Sequence, residues 1–95
     1  MSTTYFMLQY AYDLKNHTDI QQCIDTFNSY HVPYQIYFIN NQCILQGIYK
    51  FEYTESEDLY HIYRILNSLV NLDQSFTYKS YQDPITLDDL GDLIL

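Results

Sequence analysis

The chain has 95 residues, of which 47% are hydrophobic, and 12 carboxylates against 4 basic side chains give a formal charge of −8. This length allows one hydrophobic core, and the hydrophobic content excludes a disordered chain. The charge disfavours binding to nucleic acid or to an anionic membrane and favours binding to basic protein surfaces. The 12 tyrosines indicate a binding role as well, because tyrosine offers a large contact area at a small cost in rotamer entropy.

Missing sequence features limit the expected localisation, metal binding and enzymatic activity of the chain. The N-terminal MSTTYF has neither the basic nor the apolar region of a signal peptide, and no apolar run approaches the roughly 20 residues that span a bilayer. We therefore expect a cytoplasmic protein, in the host cytoplasm if it is viral, without membrane contact. Cys23 and Cys43 do not have metal-site spacing and are predicted to be buried free thiols. The histidines are scattered, so we predict neither an enzyme nor a bound metal or cofactor.

The first half of the chain predicts three strands and a helix. Aromatic alternation over residues 4–12 is typical of a strand, and Thr18 begins a capping sequence before apolar residues at helical spacing. Residues 34–39 and 42–53 are predicted to be strands joined by a tight turn at Asn40-Asn41, because asparagine tolerates a positive φ. In the long third strand, alternation predicts that the positions carrying Ile44, Gln46 and Ile48 face away from the core.

The second half predicts a helix, a strand and a tail. The capping sequence Thr54-Glu55-Ser56-Glu57 begins a helix to about Asn71, and residues 76–81 form a fourth strand. The order β-α-β-β-α-β predicts an α+β, ferredoxin-like domain over residues 1–83, with a four-stranded antiparallel sheet and both helices on one face. Residues 84–95 form an acidic amphipathic tail, in which Thr86-Leu87-Asp88-Asp89 caps a short helix. Its leucines either dock on the domain or bind a partner's groove, and both alternatives stay open.

Two surfaces are candidate binding sites for a partner. The sheet face away from the helices is predicted to be uncovered, and its apolar positions Tyr37, Ile48 and Tyr81 are candidates for a protein interface, a homodimer included. The other surface is acidic. It consists of closely spaced carboxylates at the exit of the third strand, Glu52, Glu55, Glu57 and Asp58, and of carboxylates in the tail, Asp88, Asp89 and Asp92.

One stretch of the third strand resembles the nicking domain of rolling-circle replication initiators. Ile44-Leu45-Gln46-Gly47 is similar to that family's third-strand motif with the metal-binding histidine replaced, and Phe51 and the helix over residues 56–66 stand where such domains have similar elements. The family's nucleophilic tyrosine is followed by a lysine three or four places on, and Tyr78 and Tyr81 lack one. The resemblance therefore implies a scaffold without nicking activity.

In size, charge and fold the chain resembles the small acidic proteins that phages and other mobile elements use against host defences, anti-CRISPR and anti-restriction proteins among them. We therefore expect a non-catalytic protein that inhibits or regulates a basic nucleic-acid-binding protein of host defence or replication. Its carboxylates would stand in for phosphates and its tyrosines would supply anchors. The alternatives are a dimeric ligand-binding or regulatory module of ferredoxin-like fold and a catalytically degenerate replication-initiator domain.

Overall fold

A computed structural model describes residues 2–13, 20–72 and 76–94. Across these ranges the chain is a mixed α+β structure with a four-stranded antiparallel sheet in the order β2-β3-β1-β4. The elements, in chain order, are β1 (Ser2–Asp13), α1 (Ile20–Ser29), β2 (Tyr34–Ile39), β3 (Gln42–Tyr53), α2 (Ser56–Leu72), β4 (Phe76–Tyr81) and a C-terminal 3₁₀ helix (Leu87–Leu93).

The predicted Asn40-Asn41 turn and the predicted limits of β2, β3 and β4 are confirmed, whereas β1 is longer at both ends than the predicted 4–12. Asn40 and Asn41 have φ values of 52° and 63°, the conformation that a two-residue hairpin turn requires. Helix α1 ends at Ser29, four residues before Pro33, because the backbone already turns at His31. His31 takes the left-handed conformation at φ 56°, and the amide of Val32 donates to the carbonyl of Phe27 at 2.8 Å, which is the Schellman arrangement for ending a helix. Thr18 lies outside the described residues, so its predicted cap is not seen.

Both long helices pack on one face of the sheet. Side chains of α1 and α2, including Phe27 and Leu66, lie in one buried cluster with Phe6, Leu8 and Leu45 from the central strands. Tyrosine hydroxyls in this core have partners, as at Tyr12 and Cys23, whose Oη and Sγ are 2.6 Å apart. The prediction of two buried free cysteines is confirmed, and burial raises the pKa of the Cys43 thiol.

The centre of the opposite sheet face is covered, and the prediction that Ile48 lies on an open face is wrong. Leu90 of the 3₁₀ helix is fully buried against Met7 and Ile48, and Ile85 and Leu87 pack around them. The chain turns back across the sheet after β4, so Leu87 and Leu90, two of the residues that suggested a partner-binding tail, are packed on the domain's own sheet. As a result, β3 is buried on both faces at its centre, where Ile44 and Gln46 are 4% and 0% exposed.

Carboxylates cap two of the helices. The Thr86 amide donates to the Asp89 carboxylate at 2.8 Å, as the predicted capping sequence requires, and the Thr86 hydroxyl donates to the same carboxylate at 3.1 Å. At the start of α2 the predicted residue is wrong by one position. It is Asp58, rather than Glu57, that accepts bonds from the amides of Thr54 and Glu55, at 3.3 and 3.4 Å.

Candidate functional site

The difference in length between two neighbouring strands leaves part of the sheet unpaired. Strand β3 has 12 residues and β2 has 6, and their pairing runs only from Ile39 opposite Gln42 to Tyr34 opposite Gly47. Beyond it, the Ile48 amide donates to the Pro33 carbonyl at 3.1 Å. Residues 49–53 pair with β1 on one side. On the other side, no strand of the described ranges lies beside them.

This register leaves backbone groups of β3 without a strand partner among the described residues. In antiparallel pairs, alternate residues direct both their N–H and their C=O toward the same neighbour. Because the Ile48 amide points toward the β2 side, the amides and carbonyls of Lys50 and Glu52 point there too. An unpaired strand edge of this kind is a template for an added strand.

A cavity of about 530 Å³ lies beside this edge and is termed the notch. One wall is the end of α1, with Tyr30 and His31, and another is the C-terminal segment at residues 85–87. Tyr5 and Tyr49 line it from the sheet. The notch exists because the Schellman turn at His31 directs the chain into a β2 that starts late, while residues 85–87 return over the other sheet face.

A row of aromatic rings accompanies the unpaired part of β3. Tyr49, Phe51 and Tyr53 lie on the helix side, all partly exposed, with stacked rings whose centroids are 6.4 and 5.8 Å apart. The notch and this row therefore present aromatic contact area next to free backbone groups. That combination is typical of surfaces that bind an extended peptide.

The predicted carboxylates at the exit of β3 differ in what they bind. Glu52 forms an ion pair with Lys50 at 3.2 Å, with both side chains about half exposed, and its hydrogen bond raises the pKa of Lys50. Asp58 is engaged in the cap of α2. Glu55 and Glu57 are exposed at the start of the helix. These four residues, Glu52, Glu55, Glu57 and Asp58, are termed the acidic end.

The other predicted partner-binding residues lie on the C-terminal side of the sheet. Ile48 is 8% exposed beneath the 3₁₀ helix, so its side chain does not form an open interface. Tyr37 and Tyr81 are partly buried at the border of the same cluster. The Tyr37 hydroxyl donates to the Gln35 side chain, and Lys79 lies 5.2 Å above the Tyr81 ring. In the tail, Asp89 is used as a cap, whereas Asp88 and Asp92 are exposed.

Sequence reasoning missed the residues that form the notch. Tyr30, His31 and residues 85–87 are far apart in the chain, and no motif connects them. One signal was present: a 6-residue strand followed by a tight turn and a 12-residue strand must leave about half of the longer strand without a partner on that side.

Neither a cluster of potential metal ligands nor a membrane-spanning helix is found in the described ranges. No group of three or more His, Cys, Asp and Glu side chains there could hold a metal ion. Among the helices of those ranges, none combines the length and the apolar character needed to cross a membrane. Comparison with family models, with curated proteins and with solved structures finds no match to this chain.

Proposed function

We propose that the chain is a ferredoxin-like domain that acts as a non-catalytic acidic interaction protein, binding and inhibiting or regulating a basic nucleic-acid-binding protein. The element order β-α-β-β-α-β and the strand order β2-β3-β1-β4 support the fold assignment. The observation that carries the functional proposal is the notch, a recess lined by aromatic rings beside the unpaired edge of β3, the same strand that ends at Glu52 and Tyr53 before the acidic end.

The site suits a basic segment of the partner in extended conformation. Such a segment would add to the free edge at Lys50 and Glu52 through backbone hydrogen bonds, and its apolar side chains would contact Tyr30 and Tyr49 in the notch. Its basic side chains would meet Glu55 and Glu57, whose exposed carboxylates take the place of nucleic-acid phosphates. Inhibition follows if the same basic surface of the partner is the one that binds DNA or RNA, in the manner expected of an anti-CRISPR or anti-restriction protein.

No observation favours the degenerate replication-initiator alternative. Its motif positions lie inside the domain: Gln46 is fully buried, and its amide donates to the Gln9 side chain at 3.1 Å. The dimeric-module alternative relied on the sheet face that the 3₁₀ helix covers.

Displacement from DNA tests the proposal for any partner of this class. DNA-binding proteins of a host extract are retained on DNA-cellulose, and the acidic protein is passed over the column. We expect it to elute a defined protein with which it then co-purifies, at low salt and less efficiently as salt rises, because screening weakens the attraction.

A matched pair of double variants makes the test specific. Glu55→Gln with Glu57→Gln removes two exposed charges from the acidic end. Asp13→Asn with Asp25→Asn removes the same charge elsewhere; Asp13 lies opposite Gln42, at the far end of β3, roughly 33 Å from Glu52 at about 3.3 Å per residue. We expect the first double variant to lose most of the displacement and the second to retain it. Equal loss of displacement in the two double variants would mean that net charge alone accounts for the effect. A ternary complex of the acidic protein, its partner and DNA would contradict mimicry.

A further inference from the structure

The sheet has a second unpaired edge, which is the outer side of β2 and is distinct from the notch. Strand order places β2 at one edge and β4 at the other. The hydrogen bond from the Ile48 amide to the Pro33 carbonyl fixes which residues of β2 bond to β3, namely Gln35, Tyr37 and Ile39. The backbone N–H and C=O groups of the alternate residues, Ile36 and Phe38, are therefore directed outward.

This edge is apolar and carries no charge. Phe38 is 70% exposed and Ile36 is 39% exposed, although both are large hydrophobic residues on the helix side of the sheet. Edge strands are commonly protected by a charged residue, a proline or a bulge. Strand β4 carries Lys79, whereas no such residue lies within Tyr34–Ile39.

The distribution of charge around the edge is uneven. Residues 26–49 contain no Asp, Glu, Lys or Arg, in a chain whose formal charge is −8. The α1 C-terminus, β2 and most of β3 thus form one neutral region. A basic partner would find no carboxylate here. Two copies of the chain, in contrast, could bring their neutral regions together while their carboxylates stay elsewhere, so repulsion between them is smallest in this orientation.

We propose that β2 is a homodimer interface, in which two copies pair their β2 strands antiparallel around a two-fold axis at Tyr37. In this register Ile36 lies opposite Phe38 of the second copy, and the outward backbone groups of both residues exchange hydrogen bonds. The two four-stranded sheets become continuous. Because opposite residues of an antiparallel pair share a face, the exposed apolar side chains of both copies meet on the helix side.

The oligomeric state tests the proposal directly and independently of the proposed function. Sedimentation velocity over a concentration series should show the average mass rising from that of one chain, 11.4 kDa, toward twice that value. Phe38→Lys should leave the fold unchanged, because the side chain is mostly solvent-exposed, and should abolish the rise. The matched control is Thr77→Lys, an exposed position on the other edge strand, which adds the same charge and should still dimerise.

Salt and hydrogen exchange identify the interface. Added NaCl should strengthen dimerisation, because it screens repulsion between two acidic chains, whereas it weakens binding of a basic partner. The amides of Ile36 and Phe38 should exchange more slowly at high protein concentration, and Phe38→Lys should remove this protection. A mass that stays at one chain up to the solubility limit would overturn the proposal, and so would a dimer that Phe38→Lys leaves intact.

Discussion

At the scale of single residues, the clearest constraint on the fold is the lack of a side chain at Gly47. A β-carbon at this position would lie 2.5 Å from Val32 Cγ1, 3.1 Å from Phe27 Cε2 and 3.2 Å from the Pro33 carbonyl oxygen. The glycine thus lets the end of α1 and the start of β2 approach β3 closely. That approach determines where β2 begins, and hence where the notch lies.

Gly47→Ala should therefore destabilise the protein. Val32 is buried and the Pro33 carbonyl belongs to the backbone, so the contact is relieved only by moving the α1–β2 connection, at a cost of about 1–3 kcal/mol. Gly91→Ala is the control: its β-carbon would meet Tyr37 at an ordinary 3.6 Å, and alanine favours a helix by about 0.5–1 kcal/mol over glycine. Urea unfolding of the three proteins measures both effects, and equal stabilities of wild type and Gly47→Ala would contradict the steric argument.

A buried pair of polar side chains gives a second prediction at this scale. The Gln46 amide donates to Gln9 at 3.1 Å, but the Gln46 side-chain oxygen is buried and has no hydrogen-bond partner among the described residues. Leucine at Gln46 alone should destabilise the fold, because it removes the hydrogen bond that Gln46 donates to the buried Gln9 side chain, at a cost of about 0.5–1.5 kcal/mol.

Leucine at both Gln9 and Gln46 should recover that loss, since replacing both partners with apolar groups of similar size is close to neutral. A double-mutant cycle in urea measures the coupling. Strictly additive effects of the two substitutions would show that the amides act independently.

At the scale of elements, the sequence predicts the individual strands and helices well, but it predicts poorly which segment covers the sheet face opposite α1 and α2. Alternation, capping sequences and the Asn40-Asn41 turn are local signals, and they locate the strands because each signal arises within a few residues. Burial of Ile48 depends instead on a segment some 40 residues further along the chain. In β3 itself a residue facing solvent and a residue facing a returning segment look the same, so the cover over the second face was not predictable from its pattern.

The C-terminal 3₁₀ helix should consequently contribute to stability. Leu90 is fully buried against Met7 and Ile48, so Leu90→Ala should cost about 2–5 kcal/mol, the range for large-to-small substitutions in a core. Leu93 is partly exposed in the same helix, and Leu93→Ala should cost clearly less. Urea unfolding compares the two variants. If Leu90→Ala unfolded like the wild type, the helix would not be held on the sheet in solution.

The same packing changes what a charge at Ile48 would do. On an open face, Ile48→Glu would spare the fold and affect only association. Beneath Leu90, the substitution places an unpaired carboxylate in an apolar cluster, and we expect loss of the near-UV circular dichroism signal before any specific effect on binding. A variant that kept its near-UV signal would contradict this expectation.

At the scale of the whole molecule, uneven charge links stability to ionic strength. The formal charge is −8, and much of it lies at the acidic end and in the C-terminal segment, since residues 26–49 carry none. Repulsion among these carboxylates is relieved on unfolding, so it lowers the free energy of unfolding at low salt. Raising NaCl from 0.1 to 1 M shortens the screening length from about 10 to about 3 Å, and the urea midpoint should rise.

The acidic end should account for part of that rise. Glu55→Gln with Glu57→Gln removes two like charges from the acidic end, so its urea midpoint should respond less to NaCl than that of the wild type. Its midpoint at low salt reflects two opposing effects, because the substitutions relieve repulsion but also remove the favourable interaction of Glu57 with the N-terminal end of the α2 dipole. Glutamine is also a good helix former, which limits the change in propensity. The double variant Asp13→Asn with Asp25→Asn has the same net charge, yet it should respond to NaCl nearly as the wild type does, because Asp13 lies at the far end of β1 and Asp25 lies on α1, so neither belongs to the acidic end. Equal responses of both double variants would mean that overall charge governs stability, in place of local repulsion. In that case repulsion would not be concentrated at the acidic end. A basic partner would then gain no more free energy by binding there than by binding elsewhere on the acidic surface.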